Sequence, residues 1–488
     1  MRPNQNPTAS RSRANVGGDF DLQPLEPRVL LSGVSVLPEA LFMPEGFSSP
    51  TAVQVVELAY ADDSGSADWQ LWAHYEREGA GDEIVCIAQG TLGAGDTDRV
   101  AVWGDGAALV RPDEPYSLVL RSSTDDVTAL LRHSDFGAQT AQYFSDRSDD
   151  DFTLAGVRRD DDSSRDFVVF FNSNDDDVTV QLELRDDSGN TYRYTALVEA
   201  QRRGGWNIQQ LPDLPEGVYQ ARVSSDSTIV LGGTRYALER QSATIELPAQ
   251  TTARAGVILD AEFDTDDDDR DDTFLFIANP GSTDVEVRFR AFAGDDGPLF
   301  GPTTFTVNVS AGGSERLSLR GEGFTDDDDD VTLAYVADAP VAINVISERR
   351  SQLAFYQPET RASDAWFFDQ GLIEEIDDDE IETEDVLLFN PTGSSVDVTI
   401  TFTFSDGTRI VETKSLASLE VEDVDGEIEF DEGFSFPTEG LDFTISITST
   451  GPVVAMLEHW NPLGRALQNT ALGVPTGTVL DLVDIAVF

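Results

Sequence analysis

The side chains best suited to chemistry in this chain of 488 residues are its aspartates, which come in runs: Asp160 to Asp162, Asp264 with Asp266 to Asp269, Asp326 to Asp330, and Asp377 to Asp379. Carboxylates converging on one loop can supply the oxygens, about six to eight, that Ca2+ takes. Asp264, Asp266 and Asp268 fall at the first, third and fifth places of an EF-hand-like loop, and Asp326, Asp328 and Asp330 repeat the alternation. The resemblance to such a loop then stops. Arg270 follows instead of a glycine turn, and Leu275 stands where a bidentate Glu is needed. These six aspartates are the candidate cation ligands, with Ca2+ stiffening the junctions between domains. Solvated acidic loops are the plainer reading, and a basic protein partner is a third.

Little else points to catalysis. His74, His133 and His459 lie far apart, without the spacing of a metal centre, and read as half-buried strand residues. Cys86 sits between Val85 and Ile87 like a buried strand thiol, and a single cysteine allows no internal disulfide. There is no glycine-rich phosphate loop and no nucleophile elbow. No catalytic residue is assigned, no cofactor is required, and the chain reads as a non-enzyme. Trp69, Trp72, Trp206, Trp366 and Trp460 are candidate contacts for a carbohydrate or protein ligand, set against the plainer role of core or junction residues.

Charge narrows the partners. Asp and Glu number 91 against 32 Lys and Arg, a formal net charge of −59, with Lys414 the sole lysine. Such a surface repels itself and is relieved by screening, so it suits a salty or divalent-rich medium, as a halophilic composition would. Nothing here could neutralise a run of phosphates, which excludes nucleic acid and anionic lipid as partners. No apolar stretch reaches the roughly 20 residues of a transmembrane helix, and the strands lack the aromatic girdles of an outer-membrane barrel.

The elements that must hold these groups repeat. Phe167–Phe171, Phe274–Ala278 and Val386–Phe389 are apolar strands, each running into an asparagine: Asn172, Asn279 and Asn390. After each asparagine comes an alternating run, Val178/Val180/Leu182/Leu184, Val285/Val287/Phe289 or Val396/Val398/Ile400/Phe402/Phe404, and then a turn at Gly189, Gly297 or Gly407. The asparagines lie 107 (279 − 172) and 111 (390 − 279) residues apart, one small domain each. No sustained helical period appears. The expected fold is all-β: four tandem antiparallel β-sandwich modules after a disordered N-terminal leader. The expected bounds are 1–38 for the leader, 39–146 for a divergent first module, then 153–249, 255–359 and 365–488. Each sheet is expected to have one buried and one wet face.

Two resemblances follow. Leu25, Glu26, Pro27, Arg28, Leu30, Leu31 and Ser32 match, place by place, the LEPR-XLL motif found near the start of exported or surface-associated bacterial proteins. That resemblance implies export. The module pattern, with Asn279-Pro280 and Asn390-Pro391 after a long strand, resembles bacterial immunoglobulin-like or fibronectin-like sandwiches, although Asn172-Ser173 departs from it. Together they imply an acidic extracellular or cell-surface repeat protein acting as spacer, matrix or adhesion component, its modules set end to end. Its partner would be extracellular matrix, cell wall or another protein. The alternative is a carbohydrate- or protein-recognition module of an extracellular system, with Ca2+-stiffened junctions.

Overall fold

Alternation of apolar and polar residues dictates the strands. In Val178–Arg185 every second side chain is buried while Gln181 is exposed, the period of two that lays one face of a strand on a core. Every named element but two short helical turns is such a strand. The computed structural model describes residues 37–482, apart from 61–63, 77–83, 95, 105, 136–137, 161–163, 187–188, 238–241, 247–251, 262–271, 294–302, 323, 325–330, 350–351, 374, 378–379, 382, 405–407, 425–440, 461–468, 473 and 476. The span Leu37–Phe488 is one compact unit.

Its first stretch holds β1 (Glu39–Met43), β2 (Val53–Tyr60), β3 (Ser66–Tyr75), β4 (Ile84–Gly93), β5 (Thr97–Gly104), β6 (Ala107–Ala108), β7 (Tyr116–Ser122), β8 (Val127–Asp135) and β9 (Ala138–Tyr143). The second holds β10 (Asp149–Arg159), β11 (Ser164–Phe171), β12 (Val178–Arg185), β13 (Thr191–Val198), β14 (Arg203–Asn207), β15 (Gly217–Ala237) and β16 (Ser242–Glu246). The third holds β17 (Ala253–Ala261), β18 (Asp272–Ala278), β19 (Val285–Ala293), β20 (Thr304–Val309), β21 (Ser314–Ser318), β22 (Val331–Arg349) and β23 (Gln352–Tyr356). The fourth holds β24 (Arg361–Ile373), β25 (Glu375–Asp377), β26 (Glu380–Ile381), β27 (Thr383–Phe389), β28 (Val396–Phe404), β29 (Arg409–Leu416), β30 (Val421–Val424), β31 (Leu441–Trp460), β32 (Asn469–Leu472), β33 (Val474–Pro475) and β34 (Val479–Asp481).

All four stretches share one antiparallel plan of two sheets. The first sheet runs β4-β3-β7-β1, β13-β12-β15-β10, β20-β19-β22-β17 or β29-β28-β31-β24. The second runs β5-β2-β8-β9, β14-β11-β15-β16, β21-β18-β22-β23 or β30-β27-β31-β32. One long strand, β15, β22 or β31, serves both sheets of its module. In the first module that strand is two, β7 and β8, which is how it diverges.

The repeated asparagine is a staple. Asn172, Asn279 and Asn390 are wholly buried. Each Nδ2 donates to three carbonyls: Asp176, Val198 and Glu199 for Asn172 (2.9, 3.2 and 3.0 Å), Thr283, Val309 and Ser310 for Asn279 (2.8, 3.1 and 3.2 Å), and Ser394, Leu416 and Ala417 for Asn390 (2.8, 3.2 and 2.7 Å). Each Oδ1 accepts the backbone N–H two residues on. One side chain thereby closes the turn after its strand and fixes it to the end of the next hairpin, satisfying carbonyls that burial would otherwise orphan. Tyr60 takes this place in the first module: its backbone N–H meets Asp96 as that of Asn172 meets Arg202, and its hydroxyl donates to the carbonyl four residues on, at Ser64 (3.1 Å).

The modules are not laid end to end. β10 touches β18 and β22, β17 touches β27, and β24 of the fourth module touches β2 of the first. The outer strand of each second sheet repeats the cycle: β9 meets β16, β16 meets β23, β23 meets β32, and β32 meets β9. Within Leu37–Phe488 the four sandwiches close into a ring.

Candidate functional sites at the module junctions

The junctions arise because β11, β18 and β27 are apolar on both faces, the mark of a strand covered on both sides. Val168 and Phe170 face their own core, whereas Phe171 and Val230 pack with Val119 of the first module, beside Ala40, Phe42 and Trp72. Leu275 and Ile277 face inward, while Phe276 and Ile346 pack against Val218 of the second module. Leu387 and Phe389 leave the fourth core and join the third, Phe389 lying 5.1 Å from the Phe292 ring. The expectation of one wet face per sheet therefore fails at these three strands.

The junction of the first and second modules is polar and buried. Arg203, on β14, donates to Glu76 (2.7 Å) and Glu45 (3.5 Å) and to the Pro44 carbonyl (3.1 Å), all contributed by the first module. His133 meets the Gln54 side-chain amide through Nδ1 (2.9 Å) and the Tyr236 hydroxyl across the junction through Nε2 (3.1 Å), one ring nitrogen donating and the other accepting. Nearby, the buried Asp135 carboxylate accepts from Ser49 (3.0 Å) and Thr51 (2.6 Å). His74 meets the Gln201 carbonyl through Nδ1 (3.0 Å) and sets its ring edge-on to Phe171. Burial drives the His74 pKa down to about 4, helped by the charges of Arg121 and Arg202 and opposed by the Gln201 contact. Burial lowers His133 as well, against the pull of Glu45 and Asp135, and pushes the Tyr236 phenol far up. Both imidazoles are thus neutral near pH 7.

The junction of the second and third modules holds a cavity of about 520 Å³. Arg158, Arg159, Asp160, Glu216 and Arg235 line it from the second module, and Phe276, Arg316 and Ile346 from the third, with Gly156, Gly217 and Val218 completing the wall. Three guanidiniums are held in place. Arg158 pairs with Asp160 (2.8 Å), Arg235 grips Asp166 through Nε (3.1 Å) and Nη2 (2.6 Å), and Arg159 donates to the carbonyls of Leu211 (3.0 Å) and Leu214. Arg316 differs. It is exposed, its Cζ lies 4.0 Å over the Phe274 ring, its guanidinium makes no hydrogen bond or ion pair among the described residues, and its charge is felt by the Asp272 carboxylate. Gly156 has φ +75° and lets the Phe276 ring approach to 3.0 Å from where a Cβ would stand, so a larger residue there would strain the backbone and crowd the ring. Guanidinium forks bind carboxylate, sulfate and phosphate in pairs of hydrogen bonds. Four of them around one cavity, in a chain of net charge −59, make a local positive spot.

The candidate cation ligands Asp264, Asp266, Asp268, Asp326, Asp328 and Asp330 lie outside the described residues, as does the motif Leu25 to Ser32. Asp160 is described, and it serves Arg158. Trp69 and Trp366 are core residues, Trp366 donating to the Val453 carbonyl (3.0 Å); Trp72 belongs to the first junction, and Trp206 packs on Phe170 at 5.0 Å. Cys86 is half buried, and burial raises its pKa. The arginines of the second junction were not among the expected site residues. Arg158-Arg159 is one of three adjacent arginine pairs, with Arg202-Arg203 and Arg349-Arg350, so no sequence signal singled this junction out.

Fold and junctions define an all-β repeat protein of four tandem antiparallel sandwiches. The chain matches no protein-family model and no curated protein. Among solved structures it is similar to the crystal structure of Thermotoga maritima 1070, at 19% identity over 24% of this chain and 97% of that one, with a TM-score of 0.19. It is also similar to the tetra-tandem repeat in the extending region of a large adhesion protein, at 13% identity over 85% of this chain and 94% of that one, with a TM-score of 0.11. No helix among the described residues is long and apolar enough to cross a membrane.

Proposed function

We propose that this chain is a non-enzymatic recognition or adhesion protein of the bacterial exterior, working as a compact platform instead of an extended spacer. The supporting observation is the contact of β24 with β2, which returns the fourth module to the first. A spacer gains reach from every module added; a ring gives that reach up and gains junctions, each a place where two sandwiches meet. Surface charge fits this role, because acidic outer faces keep copies apart in solution. Export rests on the likeness of Leu25 to Ser32 to the LEPR-XLL motif. Ca2+ at the aspartate runs remains part of the proposal, as ligand or stiffener.

The test is a pull-down of the full chain against cell-wall and matrix material, beside fractionation of the host. Selective, saturable binding and recovery outside the cytoplasm are expected. Cytoplasmic recovery, or silence against every surface fraction, would overturn the reading.

A further inference from the structure

We propose that the cavity between the second and third modules binds a small organic oxyanion, a carboxylate or sulfate carried on a partly apolar body, with Arg316 as its principal contact. The inference rests on the recognition reading above and names a ligand class for it.

Three observations meet here. The cavity, about 520 Å³, is of the size that takes small molecules. Its charge is local and built: the Arg235 guanidinium is held by Asp166 and that of Arg158 by Asp160, so their forks do not swing freely. Arg316 is set apart from both. One face of its guanidinium rests on Phe274, while its N–H edge makes no hydrogen bond or ion pair among the described residues, in a chain whose 91 acids outnumber its basic groups nearly threefold. The Asp272 carboxylate feels the Arg316 charge, but the two form no ion pair. Stacking on the ring fixes the plane of the fork and leaves its edge for a ligand. Val218, Phe276 and Ile346 supply an apolar wall for the ligand's body.

The acids present set the selectivity. Glu216 and Asp160 also line the cavity, so an anion fits when its charge meets Arg316 and its uncharged part faces those carboxylates. A bare inorganic ion gains the first contact and nothing from the apolar wall. The organic ligand should therefore bind more tightly than sulfate or phosphate alone.

The experiment is calorimetric titration of the full chain with benzoate, glucuronate, phenyl sulfate, inorganic sulfate and inorganic phosphate, with neutral glucose and benzyl alcohol as controls. Binding of at least one organic anion is expected, tighter than either inorganic ion, with no heat from the neutral controls. Arg316→Gln should weaken it at least tenfold and Arg316→Lys less, with the urea midpoint unchanged, because the side chain is exposed. Arg193→Gln, on the edge strand β13 and outside the cavity's lining, should leave it unchanged. Equal binding of neutral and charged probes, or an Arg316→Gln variant that binds as the parent does, overturns the inference. So does silence from every probe, whereas the surface pull-down decides the recognition reading separately.

Discussion

Replacing Asn279 by alanine removes one side chain and strands several backbone groups. Nδ2 serves the carbonyls of Thr283, Val309 and Ser310, and Oδ1 takes the Gly281 N–H at 2.9 Å. The bonds to Thr283, Ser310 and Gly281 are partly exposed, so water can replace the lost partner and each costs about 1 kcal/mol or less. The Val309 contact is buried, and its carbonyl, left unpaired there, costs about 1–3 kcal/mol. The variant should lose about 3–5 kcal/mol, against a change within about 0.5 kcal/mol for the exposed neighbour Ser282→Ala. Urea unfolding followed by far-ultraviolet circular dichroism reads the loss. The tryptophans lie at 69, 72, 103, 206, 366 and 460, none of them between β17 and β23, so their fluorescence reports the neighbours alone. Because the third core runs on into Leu387, Phe389, Val454 and Met456 of the fourth module, the fluorescence midpoint should fall with the dichroism midpoint. A loss under about 1 kcal/mol for Asn279→Ala would refute the staple as a source of stability.

Three further outcomes follow from the same geometry. Tyr60→Phe removes the hydroxyl's bond to the Ser64 carbonyl and should cost about 1 kcal/mol, well short of an asparagine; an unchanged urea midpoint would deny that Tyr60 fills the asparagine's place. Arg203→Met leaves Glu45 and Glu76 without their shared cation, and should destabilise by about 3–5 kcal/mol at pH 7; a neutral effect would mean the pair is not desolvated. His74 is held neutral with a pKa of about 4, below its ordinary 6.5, so its contribution is complete above pH 6.5 and is lost as pH falls from 6.5 towards 4, by up to about 3 kcal/mol. His74→Phe should flatten that slope in a pH series of thermal melts, and an unchanged slope would place the titration elsewhere.

Fold class was legible because it rests on local periodicity: alternating Val396, Val398, Ile400, Phe402 and Phe404 can bury one face only as a strand. The repeat was legible through Asn172, Asn279 and Asn390, whose role as staples needs the carbonyls of a hairpin end up to 31 residues away, which no spacing shows. The ring was written in the sequence but against the expected pattern. Phe167–Phe171 and Phe274–Ala278 are unbroken apolar runs, and a strand with one wet face would alternate. Tyr60 hid because its hydroxyl reaches by length the carbonyl that an amide reaches by branching. The arginine cavity lay beyond reach for another reason: Arg158 and Arg316 are 158 residues apart and meet at a junction that only the packing of whole modules creates.

Small-angle scattering from the full chain bears most directly on the closed ring. A compact unit of residues 37–488 should have a radius of gyration of about 22 Å. Four sandwiches of about 35–40 Å laid end to end would give a rod near 150 Å long and a radius above about 40 Å. A value near the first, unchanged between low and high salt, is the expected result; a value near the second would contradict the contact of β24 with β2 and the account built on it.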